Sequence, residues 1–148
     1  MKTKVHAIAG VIGFVTILTF WTSTVFSELL GSYETITTVK TMILKGMFIL
    51  IPAMVVVGAS GMNFCLKGND APAIAKKKRM PFIAANGLVI LLPAAFYLQF
   101  KAIVGDFDAM FYTVQLLELV AGAINLTLMG LNIRDGRSMV RRRKQVAI

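Results

Sequence analysis

The chain has 148 residues, 57% of them hydrophobic and 16% charged, a balance too apolar for a water-soluble domain of this length and suited to a bilayer as solvent. The net charge of +9 would suggest nucleic acid in a soluble protein, but only Lys40, Lys45 and Lys101 of the 16 basic residues fall outside three short segments: the N-terminus, residues 67–80 and residues 134–148. Charge gathered in this way meets anionic headgroups, so no nucleic-acid partner is expected. One cysteine, Cys65, excludes an internal disulfide.

A membrane-spanning helix needs about 20 apolar residues, and the first candidate is 5–27. Lys2 and Lys4 before it imitate a signal peptide, but the run is long and three more follow, so it reads as an uncleaved span. His6, Gly10, Gly13, Thr24 and Glu28 share one helical face, with Thr16, Thr19 and Ser23 on an adjoining strip. Gly31 is placed to close this helix in the left-handed conformation, as Gly68, Gly105 and Gly136 are for the later ones.

The second span, 39–66, aligns Lys45, Pro52 and Asn63. Lys45 lies about a turn and a half inside Lys40, and its stem can reach toward a buried acid, Glu118 in the fourth span, or snorkel to the surface. The following loop, 67–80, carries Lys76-Lys77-Lys78-Arg79, which reads as a topology anchor.

The third span, 81–104, opens on Pro81, suited to a first helical turn where its missing N–H is harmless, and aligns Asn86, Pro93 and Tyr97. Pro52 and Pro93 each leave a carbonyl four residues back, at Phe48 and Val89, without its partner, so both spans are expected to kink. Asp108 is a candidate N-cap for the fourth span, 109–133.

That fourth span has the strongest polar signal. Gln115, Glu118, Gly122, Asn125, Met129 and Asn132 fall on one stripe, and Glu118 lies about 15 Å below Asp108 at 1.5 Å per residue. A carboxyl at that depth faces a bundle interior and is a functional candidate by default. Lys45, Asn86, Gln115, Glu118 and Asn125 together make the expected intramembrane polar set, with no second acid expected at a comparable depth.

Small residues at Gly10 and Gly13, Gly58 to Gly61, Ala84 to Gly87 and Ala121 to Ala123 are suited to close helix packing within the bundle or against other subunits. Trp21, Tyr33, Phe111 and Tyr112 read as an interfacial aromatic belt. The lone histidine, His6, offers one ligand to a b-type haem iron. A thioether from Met62, Met80 or Met129 would be the second, and Lys76 to Arg79 would meet the propionates. Of these, Met80 is the companion carried forward.

The segments His6-Ala7-Ile8-Ala9-Gly10, Phe20-Trp21-Thr22-Ser23-Thr24, Lys78-Arg79-Met80 with Ala84-Ala85-Asn86-Gly87, and 117–136 resemble small four-span bacterial inner-membrane proteins of unassigned function. In size and span count the chain is also similar to haem-binding membrane-anchor subunits, though without their paired histidines. The expectation is a single-domain, all-α integral membrane four-helix bundle in the inner membrane, with both termini and the basic tail 134–148 in the cytoplasm. It has no enzymatic site of its own. It would serve as a homo-oligomer or as an accessory subunit of a larger, respiratory complex; the alternatives are a single-haem electron carrier using His6 and a small proton-coupled transporter centred on Glu118.

Overall fold

The computed structural model describes the backbone of residues 2–65 and 71–146, and the side chains of residues 4–61 and 74–141. The described residues are all helical apart from two short connections: α1 Lys2–Leu30, α2 Tyr33–Cys65, α3 Ala71–Ala85, a π-helical segment Asn86–Leu91, α4 Leu92–Ile103 and α5 Ala109–Val146. α3, the π segment and α4 form one continuous rod. The four rods are each long and apolar enough to cross a membrane, over Lys4–Leu30, Tyr33–Gly61, Ile74–Ile103 and Ala109–Arg141. The protein is a multi-pass membrane four-helix bundle.

Its surface follows from that solvent. Phe48, Val89, Phe100 and Leu116 are among many large apolar side chains facing outward, while the interior holds three small apolar clusters and a set of polar groups. A bilayer reverses the usual distribution because exposed apolar surface costs nothing against lipid tails, whereas polar groups must be satisfied inside. Thr16, Thr19 and Thr22, on the outer side of α1, return their hydroxyls to the carbonyls of Ile12, Val15 and Leu18.

α1 packs against α2 and α5, and the α3–α4 rod packs against α2 and α5; no backbone contact joins α1 to that rod or α2 to α5 among the described residues. The rods therefore stand in cyclic order, with α2 and α5 on a diagonal. Small residues set the spacing. A Cβ at Gly61 would collide with Met80, one at Gly46 with the Phe20 ring, and one at Gly122 would come 2.9 Å from Trp21 Cδ1.

Several helix ends differ from the sequence expectation. Between α1 and α2 only Gly31 and Ser32 are non-helical. Ser32 Oγ accepts the Thr35 N–H at 3.3 Å as an N-cap, so Lys40 lies a full two turns inside α2 rather than at its mouth. The anchor 76–79 is helical, and Pro81 lies ten residues into α3. The Ala- and Lys-rich stretch before it favours helix, and Pro72 supplies the first-turn proline.

Among the described glycines only Gly105, at φ 73°, takes the left-handed conformation; Gly136 lies inside α5, which continues through the basic tail to Val146. Arg79 donates to Asp135 at 2.6 Å, holding that extension against α3. Gly68, Cys65, Asn63 and Met62 lie outside the described side chains.

The prolines behave differently. α2 stays α-helical through Pro52. Before Pro93 the rod widens into the π segment, and the Leu92 N–H reaches back to the Gly87 carbonyl. Pro93 has no N–H to offer Val89, so one extra residue is taken into the turn. The widened backbone lies against α5, with Gly87 facing Asn125 Nδ2.

Candidate functional site

The site is built where α1, α2 and α5 converge, within about 14 Å of the bundle end that carries the two short loops. Lys40, seven residues into α2, is only 1% exposed, and its ammonium donates to Glu118 Oε2 at 2.7 Å. This bond crosses the α2–α5 diagonal through the middle of the bundle. A lysine stem is long enough to span helices whose backbones do not touch.

Gln115, one turn before Glu118 on α5, donates Nε2–H to the same Oε2 at 3.0 Å. The carboxylate can only accept, so the Gln115 amide is fixed with its oxygen turned away. Desolvating two opposite charges costs several kcal/mol per ion and is offset only by close pairing and further hydrogen bonds. Glu118 has both.

Lys45, expected as the candidate partner of Glu118, does not reach it. It is exposed on the outer side of α2, near Met42, Phe48 and Ile49. The helical period explains the difference: five residues beyond Lys40 is about 500° of rotation, which turns Lys45 well away from the face that meets α5. In the sequence Lys40 stands at the mouth of the expected span 39–66, which hides it as a candidate. It shares a helical row with Ile36, Ile43 and Met47, and the bundle shows that this row is the buried one.

The second surprise is Glu28. Two residues before the end of α1 it is half-buried and lies in the electrostatic field of both Lys40 and Glu118. A second acid thus acts on the pair, though from nearer the bundle end than Glu118, so no other acid shares the depth of Glu118 among the described residues. Glu28 Oε1 and Gln115 Oε1 are both buried without a hydrogen-bond partner.

Toward the other end, Glu118 lines a cavity of about 60 Å³ between all four rods, walled by Phe20, Trp21, Met47, Leu91 and Gly122 among others. Its walls are otherwise almost wholly apolar. The polar stripe of α5 continues beyond it. Asn86 Nδ2 donates to the Ala121 carbonyl at 2.8 Å, and Asn125 is 1% exposed with Oδ1 unpartnered, as is Asn132 Oδ1. The expected inward set of Asn86, Gln115, Glu118 and Asn125 thus shares the interior, while Lys45 does not.

Trp21 and Phe111 also turn inward, away from the expected belt. Trp21 donates Nε1–H to the Leu119 carbonyl at 2.9 Å, and Phe111 is wholly buried between Phe107 and Tyr112. On the loop surface Lys101 bridges Asp106 and Asp108, and Asp108 also caps α5 by accepting the Phe111 N–H at 2.8 Å. The bond from Lys101, then that from the Phe111 amide, hold the Asp108 carboxyl below the usual carboxylate range.

At the opposite end of the bundle His6 is buried, with Nδ1 2.8 Å from Ser60 Oγ and Nε2 2.9 Å from Lys76 Nζ. Met80 Sδ and His6 Cε1 both crowd Gly61. Iron ligation needs a free ring nitrogen and a porphyrin plane between it and the thioether. Both nitrogens are engaged, and Met80 packs onto Gly61, while Met129 is buried in the core with Ile17 and Ile83. The donor set does not fit a haem in this arrangement. Among the described residues no group of three or more His, Cys, Asp or Glu is placed to hold a metal ion.

No family model matches the chain, and neither the curated proteins nor the solved structures yield a match.

Proposed function

We propose that the protein is a small proton-coupled membrane protein whose working centre is the Lys40–Glu118 pair. The observation that carries this reading is a wholly buried lysine held 2.7 Å from a carboxylate that also borders a cavity between the four helices. Ionisable groups inside a bundle are expensive, and ion and proton pathways are where such a cost is usually met. The buried acceptors Asn125 and Asn132 extend the same polar line along α5. In this reading the protein resides in a bacterial inner membrane with both termini in the cytoplasm, since the basic segments gather at the termini side.

The test is proton flux into liposomes holding a pH-sensitive dye. Wild type should acidify the lumen under an inward gradient, and Glu118→Gln should fall to the rate of protein-free vesicles. Equal rates for the two proteins would remove the centre from any transport role.

A second reading, an accessory subunit in an oligomer or larger membrane complex, is supported by Lys45. It presents an ammonium on the outer surface of α2 about 18 Å from its start, among exposed apolar side chains. A neighbouring subunit with an acceptor at that depth would satisfy it. Native mass measurement in mild detergent should then show a complex that Lys45→Leu weakens; a solitary chain in both cases speaks for a snorkelling lysine instead.

A further inference from the structure

The centre holds two carboxylates and one ammonium, and the proposal of proton coupling leaves open which carboxylate takes the proton. The geometry points to Glu28, not Glu118, as the group that gains and loses it; this rests on the proton-coupled reading and names its exchanging residue.

The partners of the two acids differ. Glu118 Oε2 receives one donor from Lys40 and another from Gln115, so its ionised form is held in place. Glu28 Oε1 is buried and receives none. Gln115 Oε1, fixed by its amide's bond to Glu118, is a second buried acceptor without a donor. A carboxylate offers only acceptors, whereas a carboxylic acid offers one O–H. Both donors of the centre, Lys40 and Gln115, are directed at Glu118, so one proton on Glu28 adds a donor where two buried acceptors lack one, and it cancels the surplus negative charge of the centre.

Access follows the same order. Glu28 lies about 3 Å from the end of α1, whereas Glu118 lies about 14 Å inside α5. α1 packs only against α2 and α5 among the described residues, and the groups on them close enough to act electrostatically with Glu28 are Lys40 on α2 and Glu118 and Tyr112 on α5. Tyr112 in turn meets Tyr33 at the exposed bundle end. Lys101 at the end of α4 and Asp106 and Asp108 on the following loop form their own surface trio. The step is simple: hydronium on the loop side gives its proton to the Glu28 carboxylate and leaves as water, with no electrons moved.

Infrared difference spectra of the full-length protein in lipid, recorded across a pH titration, test this. Beside the absorption of exposed carboxyls such as Glu34 and Asp106, wild type should show one pH-dependent carboxylic C=O band at the higher frequency of an acid shielded from water. Glu28→Asp keeps the charge count but replaces a glutamic with an aspartic acid, so the band should shift in frequency; Glu118→Asp should leave its frequency in place. A band that shifts in Glu118→Asp and stays put in Glu28→Asp overturns the assignment, as does a wild type with no such band. Absence of flux in liposomes together with a band that follows Glu28 would reject transport while leaving the proton site intact. Circular dichroism of both variants checks that the helices persist.

Discussion

At the scale of single residues, the bundle depends on Lys40. It is among the largest fully buried side chains, and it joins two helices whose backbones stand apart on a diagonal. Such a bond is poor evidence of net stability, because the desolvation of both ions opposes it. Its removal by halves is a different matter. Lys40→Met leaves Glu118 buried with only Gln115 as donor, and the expected loss is about 3–5 kcal/mol. Lys40→Met combined with Glu118→Gln removes both charges and should recover most of that loss. Thermal unfolding in mild detergent, followed by circular dichroism, gives the comparison. If the double variant is no more stable than the single one, the two groups do not act as a pair.

At the scale of elements, hydropathy and helix period made much of the molecule legible. Four long apolar runs became four membrane-length rods, and the α5 stripe turned Gln115 and Asn125 to the interior. Asp108 caps α5 as its type and position imply. What the sequence hid were the ends. Gly136 was read as a stop and Pro81 as a start, but both lie inside helices because Ala-, Lys- and Arg-rich neighbours carry the helix through them.

That error at the ends moved the site. With the first span ended at 27 and the second begun at 39, Glu28 and Lys40 stood at span mouths. A two-residue connection capped by Ser32 instead draws both into helices that meet α5. The choice between Lys40 and Lys45 then turned on the rotation of α2, which hydropathy cannot resolve because lipid-facing and interior positions are both apolar. The buried row Ile36, Lys40, Ile43, Met47 carried the answer at i, i+4, i+7, i+11 spacing, but only the packed bundle shows which apolar row is the inner one.

For the whole molecule, orientation decides which compartment supplies the centre. The Lys40–Glu118 pair and Glu28 lie toward the end with the α1–α2 and α4–α5 connections, where Glu28, Glu34, Asp106 and Asp108 gather. Lys76 to Arg79 and the basic extension of α5 lie at the other end, where Lys76 meets His6 and Arg79 meets Asp135. The described cations among them, Lys76 to Arg79, Arg134, Arg137 and Arg141, are on helices instead of trailing in a loop. Basic residues close to span ends are retained on the cytoplasmic side, so the centre should open outward. Fusing a reporter to the C-terminus checks this: green fluorescent protein should light and alkaline phosphatase should stay inactive, with the reverse pattern for fusions ending after Asp108. An active phosphatase at the C-terminus would put the basic end outside, and the centre would then exchange protons with the cytoplasm.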